Sequence, residues 1–187
     1  PNEISEKESG SLDLLKNDDI EFNGSSENYK LINKTSLLKE FINNCYKKSV
    51  IFIDCEKNSL DAKSASLVGI SMSYSEGKAC YIPMRHGHEL DNDQPDLILD
   101  NQAPFVQLPF LEVINLIKPI LEDNSILKIG HNVKYDSLVM KQNHNGNINL
   151  YPIGDTMCIS YVVDSGRVDN HKLDSLAFRE LKHETIK

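Results

Sequence analysis

The sequence has 187 residues, of which 40% are hydrophobic, and a formal net charge of −8. This length suits one domain with a full core, and no apolar run reaches the roughly 18 residues that a membrane helix needs. A protein that grips duplex DNA alone normally presents a basic surface. A nucleic-acid substrate would therefore require bound cations or a neighbouring domain to offset the repulsion. Four widely spaced cysteines argue against a zinc cage or a disulfide framework and favour a reducing cytoplasm.

Apolar periodicity and turn signals divide the chain into strands, helices and loops. Residues 1–27 are rich in Ser, Glu, Asp and Asn, and we interpret them as a flexible lead-in or interdomain linker. The elements predicted after it, in chain order, are a strand at 29–32, a helix at 35–47, strands at 50–53, 66–74 and 79–84, a helix at 109–122, a strand at 126–129, and helices at 133–142, 155–163 and 172–181. Residues 85–107 are predicted to be a polar surface loop, and its His-Gly-His-Glu run is weak evidence for a metal site. An antiparallel opening followed by alternating strands and helices predicts an α/β fold with a mixed sheet flanked by helices.

Two acidic residues follow the apolar run Val50 to Ile53. Side chains at positions i and i+2 of a strand point to the same face, so Asp54 and Glu56 would emerge together at the end of this strand. Two like charges at one place are costly unless a positive charge shares the site, and a hard divalent cation with oxygen ligands is the obvious candidate. The alternative is that Asp54 caps a turn and Glu56 is solvated.

A third acid lies in the stretch Asn132-Val-Lys-Tyr135-Asp136. Asp136 is predicted about one turn inside a helix that follows a strand. If the strand before this helix is a parallel neighbour of the strand of Asp54, the helix begins at the sheet edge where the strand of Asp54 ends. Asp54, Glu56 and Asp136 would then converge. The alternative is an acid favourably placed in the first turns of a helix.

These two stretches resemble the 3′–5′ proofreading exonuclease domain of bacterial family A DNA polymerases (DNA polymerase I), in the DnaQ-like, ribonuclease H-like superfamily. The family motif D-x-E followed by Ser-Leu appears as residues 54–60, and N-x-x-Y-D appears as residues 132–136. LVGIS, CYIP, IKPILED, LKIG, DTM and GR…DSL also resemble that family, in order. The resemblance covers residues 28–187 and implies a ribonuclease H-like fold. Lys57 and Asn58 depart from the family's commoner Thr-Asp.

By this resemblance, Asp54, Glu56 and Asp136 match catalytic carboxylates that hold two divalent cations, Mg²⁺ or Mn²⁺. The implied reaction is the metal-dependent release of nucleoside monophosphates from a single-stranded or frayed 3′ end of DNA. The implied setting is a chain that also carries a polymerase domain, in the bacterial cytoplasm at the nucleoid and away from membranes, and the fragment alone is expected to be a monomer.

The resemblance also implies four substrate-binding residues. Leu60 matches a side chain that wedges against the terminal base, Asn132 and Tyr135 match positions near the last nucleotides, and Arg167 matches an arginine on the DNA backbone. Each of the four also has an interpretation that involves no functional site: a core Leu, a helix-capping Asn, a packed Tyr and a surface Arg.

The family's third motif, Y-x-x-x-D, is expected downstream of residue 186, so we expect a truncated domain with weak or no activity by itself. Tyr151 and Asp155 have this spacing by accident, because Pro152 and Gly154 would break the helix that makes such residues neighbours. Two alternatives remain: a catalytically silent, exonuclease-like scaffold or strand-binding domain, and a free-standing RNase D-like exonuclease.

Overall fold

The computed structural model describes residues 29–59, 61, 63–86, 106–166 and 170–185. The predicted linker at 1–27, most of the predicted loop at 85–107, and the candidate residues Leu60 and Arg167 lie outside these ranges. No helix within the described ranges is long and apolar enough to cross a membrane.

The described residues form eleven helices and strands. In chain order they are β1 (Tyr29–Leu31), α1 (Thr35–Cys45), β2 (Val50–Lys57), β3 (Leu67–Ser75), β4 (Lys78–Pro83), α2 (Phe110–Leu121), β5 (Leu127–Gly130), α3 (Val133–Asn143), β6 (Ile153–Asp155), α4 (Thr156–Val163) and α5 (Leu173–Leu181). Every predicted element is present, with ends that differ by up to four residues. The strand β6 was not predicted, because three residues are too few to show a period.

The strands form one mixed sheet in the order β1-β4-β3-β2-β5-β6. Strands β2, β3 and β4 pair antiparallel, whereas β5 is parallel to β2 and β6 is parallel to β5. This topology confirms the predicted α/β fold with an antiparallel meander and parallel strands beyond it. The first strand pairs with β4 in the parallel direction at the outer edge.

The hydrophobic core includes one face of β2. Ile51, Ile53 and Cys55 are buried together with residues of α1, α2 and α3, whereas Phe52, Asp54 and Glu56 on the alternate face are exposed. Phe52 retains 44% of its surface in solvent, which is unusual for an aromatic residue in a central strand. The sheet therefore presents an open face beside the two acids of the first motif.

A buried lysine holds β5 in place. Lys128 is 0% exposed, and its ammonium donates to the carbonyl oxygens of Asp123 at 2.7 Å, Ile126 at 2.7 Å and Tyr151 at 2.5 Å. Burial lowers the pKa of Lys128. Because three carbonyl groups take the place of water around the charge, this side chain joins the segment before β5 to the segment before β6.

Helices α4 and α5 are joined by polar contacts. The Ser160 hydroxyl lies 2.7 Å from His171 Nδ1, with both residues buried, and Arg179 donates to Asp164 at 2.9 Å. Large apolar side chains remain exposed on both helices, including Val162 and Phe178.

Candidate active site

We predicted that the two acids of the first motif follow the end of the strand. They lie instead inside β2. The strand continues to Lys57 because β3 pairs with it as far as Leu67, with Asp54 opposite Ser71 and Glu56 opposite Gly69. Alternation along the strand places both carboxylates on its exposed face. The shared face predicted for Asp54 and Glu56 is therefore confirmed.

A tyrosine that the sequence did not indicate lies next to Glu56. A Cβ atom at Gly69 would lie 2.0 Å from the Tyr81 hydroxyl oxygen, so the Tyr81 side chain covers the glycine that pairs with Glu56. Burial, with a smaller contribution from the charge of Glu56, raises the pKa of Tyr81 to about 12. The hydroxyl contacts His86 Nε2. Tyr81 lies in the CYIP stretch, but that stretch did not indicate its position beside Glu56, because this position depends on the register of three strands.

Asp136 reaches the first motif from α3. It is the fourth residue of the helix that follows β5, and β5 runs parallel to β2. Its side chain is 2% exposed and accepts a hydrogen bond from Lys57 Nζ at 3.3 Å, and the backbone N–H of Cys55 is close enough to act to lower its pKa. Cys55 lies between Asp54 and Glu56, so Asp136 contacts β2 between the two acids of the first motif.

The electrostatics of Asp136 reflect this crowded position. Burial raises the pKa of the Asp136 carboxyl to about 6, although the Lys57 ammonium acts to lower it. The charge of Asp54 adds to the rise, which shows that the two carboxyl groups interact. Within the described ranges, however, no three His, Cys, Asp or Glu side chains stand in an arrangement that could hold a metal ion.

Lys57, a residue of the first motif, contacts two residues of the second motif. Its ammonium stands 4.3 Å from the centre of the Tyr135 ring, and the Tyr135 hydroxyl donates to the carbonyl oxygen of Ser59 at 3.1 Å. The pairing of β2 with β3 shifts register between Glu56 and Lys57, which is the position of a β-bulge. Lys57 therefore joins the end of β2 to both Tyr135 and Asp136 on α3.

Asn132 precedes α3. Its side chain does not cap the helix, although a helix-capping Asn was one interpretation of the sequence. Its backbone is left-handed, with φ of 62°, and its exposed side chain makes no capping hydrogen bond to the helix. Asp155 supplies the cap from β6, because its carboxylate accepts from the backbone N–H groups of Asn132 at 3.1 Å and Val133 at 2.9 Å. The left-handed turn leaves the Asn132 side chain exposed.

Asp155 also caps α4, the helix that it precedes. Its carboxylate accepts from the N–H groups of Met157 at 2.9 Å and Cys158 at 3.3 Å. Tyr151 is 63% exposed, and residues 153–155 form a strand, so Tyr151 and Asp155 do not share a helix. This geometry agrees with the expectation that the pair is not the third motif.

A protein family described as 3′–5′ exonuclease matches residues 29–187. DNA polymerase I of Pseudomonas aeruginosa is 38% identical over 139 residues, which are 74% of this chain and 14% of the relative. The chain thus spans about a seventh of the length of that relative.

Two solved structures share the fold. Brucella melitensis NrnC with bound Mg²⁺ has a TM-score of 0.56 at 21% identity, covering 84% of this chain and 63% of that one. Escherichia coli RNase D, an exoribonuclease, has a TM-score of 0.59 at 19% identity, and the match covers 85% of this chain and 35% of that one. The match of the family over residues 29–187, the identity to the Pseudomonas polymerase and the mixed sheet lead to one conclusion: the chain belongs to the 3′–5′ exonuclease family.

Proposed function

We propose that this chain is the proofreading domain of a bacterial DNA polymerase I, which removes nucleoside monophosphates from a single-stranded or frayed 3′ end of DNA. The observation that carries the proposal is the position of Asp136, whose carboxylate accepts a hydrogen bond from Lys57, the residue after Glu56 in β2, and interacts with the charge of Asp54. Two motifs that are far apart in the sequence thereby meet at one place on the sheet. The Pseudomonas relative, a DNA polymerase I, supports the polymerase setting.

Asp54, Glu56 and Asp136 would hold two divalent cations, Mg²⁺ or Mn²⁺. The fit is chemical: all three donors are carboxylates, which hard cations prefer, and the charge of Asp54 acts on the buried Asp136 carboxyl. The Mg²⁺ in the NrnC structure, which shares this fold, supports the assignment. When bound, such ions supply a hydroxide nucleophile at neutral pH and neutralise charge on the phosphate oxygens.

The protein side chains would hold the strand and its terminal phosphate in place. Asn132, exposed beside α3, and Tyr135, which donates a hydrogen bond to Ser59, would contact the last nucleotides. Leu60 and Arg167 keep their proposed roles against the terminal base and the DNA backbone. Fixing the reacting groups in line is the larger part of the work in phosphodiester hydrolysis. Bound cations would also offset the repulsion between DNA and a chain of net charge −8.

A catalytically silent scaffold is the second candidate. It is favoured by the contact of Lys57 with Asp136, because an ammonium already neutralises part of the charge that a metal would neutralise. It is also favoured by the lack, within the described ranges, of three acids already arranged around a metal position.

The test is 3′–5′ cleavage of a 5′-labelled single-stranded DNA, measured with Mn²⁺ or Mg²⁺ and with EDTA in its place. The proteins are the 187-residue chain and the longer polymerase that contains it, each as wild type, Asp54→Ala and Asp136→Ala. Glu76→Ala, in the exposed turn between β3 and β4, is the matched control for loss of one acidic charge.

We expect metal-dependent cleavage in the longer protein, a loss of a factor of about 10² or more in both site variants, and no change in the control. A longer protein that stays inactive with ample metal would establish the scaffold. Matched DNA and RNA substrates separate the remaining alternative, because an RNase D-like enzyme would cleave the RNA faster.

A further inference from the structure

The lysine that ends β2 is the feature that the proposed function leaves unexplained. Lys57 Nζ lies 3.3 Å from Asp136 Oδ1, while the Lys57 side chain is 24% exposed and that of Asp136 is 2% exposed. An ion pair this sheltered from solvent is much less screened than a surface pair. The ammonium is thus the nearest positive charge to a carboxylate that the proposed function requires for metal binding.

The local backbone directs this side chain toward α3. The register shift between Glu56 and Lys57 places Gly69 opposite Glu56 and Leu67 opposite Lys57, so β3 contributes an extra residue at this point. A β-bulge increases the local twist and re-aims the side chains beside it. The result is that Lys57 lies over the Tyr135 ring, at 4.3 Å, and beside Asp136, while Glu56 keeps the exposed face.

We propose that Lys57 is a positioning residue that acts as a built-in cation, so a divalent metal binds Asp136 only by displacing the Lys57 ammonium. The inference rests on the proposed function, because it assigns Asp136 to the metal. Asp136 has one carboxylate, and a metal and an ammonium that both approach it repel each other. The Tyr135 ring gives the displaced ammonium a second favourable contact close by, so Lys57 need not leave the site.

Two consequences follow from this competition. Without metal, Lys57 holds α3 against β2 and partly neutralises the acids, which keeps the site assembled. With metal, the energy of breaking the Lys57–Asp136 pair is subtracted from the energy of metal binding. The chain therefore needs a higher metal concentration to fill the site than it would with a neutral residue at position 57.

The test is Mn²⁺ binding to the 187-residue chain by isothermal titration calorimetry, which does not depend on activity. The variants are Lys57→Met, which removes the charge and keeps the length, and Lys57→Gln, which keeps a polar group near Asp136 and serves if the Met variant does not fold. Lys57→Arg keeps the charge. Lys39→Met, at an exposed position of α1, controls for the net charge.

We expect Lys57→Met and Lys57→Gln to bind Mn²⁺ about tenfold more tightly than wild type, and the Arg and Lys39 variants to stay within about twofold of it. Unchanged or weaker binding in both neutral variants would overturn the inference. If that binding disappears with Asp54→Ala, the metal site stands and the role of Lys57 alone is wrong. If no variant binds Mn²⁺ at millimolar concentrations, the metal site and the inference fail together.

Discussion

Replacement of Asp136 by Asn should make the metal-free protein more stable at pH 8. The folded state holds the pKa of this carboxyl at about 6, against an ordinary value of 3.8, chiefly because burial disfavours the charged form. A rise of about two pKa units corresponds to roughly 3 kcal/mol of unfavourable free energy once the group is ionised in both states. The value of about 6 already includes the attraction of the Lys57 ammonium, so we expect a net gain of about 3 kcal/mol.

The pH dependence gives this prediction its sign. A carboxyl whose pKa is higher in the folded than in the unfolded state favours folding at low pH, and this contribution is lost as the pH rises through about 6. Between pH 8 and pH 5 the wild type should therefore recover about 1.4 kcal/mol from this group. Asp136→Asn has no such titration, so its advantage over the wild type should shrink by that amount at pH 5.

The assay is urea denaturation at pH 8 and pH 5, followed by circular dichroism in the presence of EDTA. Glu76→Gln, in the exposed turn between β3 and β4, controls for the loss of one negative charge and should change stability by less than about 0.5 kcal/mol. An Asp136→Asn protein that is less stable than wild type at pH 8, or a difference that is the same at both pH values, would refute the reasoning.

Three further predictions concern the groups that hold this site together. Lys128→Met should lower the free energy of unfolding by about 3 kcal/mol in urea denaturation, since it leaves three carbonyl groups without their donor, whereas Lys48→Met on the surface should have little effect. Asp155→Ala should cost about 2 kcal/mol by the same assay because two helix starts lose their acceptor, and a change below about 0.5 kcal/mol would contradict the double cap. Native alkylation followed by mass spectrometry should modify Cys158, the exposed thiol, and leave Cys55 unmodified until the protein is denatured, because burial raises the Cys55 pKa well above its ordinary value.

Local sequence patterns predicted much of the fold and which acids form the candidate site. The apolar run Val50 to Ile53 identified β2, although we ended the strand at residue 53. The polar residues Asp54 and Glu56 looked like the end of a strand, whereas they are its exposed face. A pattern shows which residues are apolar, but strand length depends on how far the neighbouring strand pairs, and β3 pairs beyond both acids.

The details that the sequence did not reveal depend on contacts between distant segments. We expected Asn132 to cap α3, because Asn is a common residue at that position, but a carboxylate from β6 does so. Lys57 was visible as a departure from the family motif, but its contact with Asp136 depends on a bulge and on the packing of α3. Tyr81 covers Gly69, the residue of β3 that pairs with Glu56. No local periodicity or spacing in the sequence indicates any of these contacts.

The double cap at Asp155 has a consequence for how the chain folds during synthesis. A ribosome releases the chain from its N-terminus, so α3 leaves it before the carboxylate that caps it, which lies 22 residues after Val133. Until β6 has been made, the first turn of α3 lacks the acceptor for its leading N–H groups, and Asp136 in that turn lacks a fixed position. The acid of the second motif therefore comes into place only when the chain has grown past Asp155, and a ribosome-bound chain halted before that residue should expose α3 to protease.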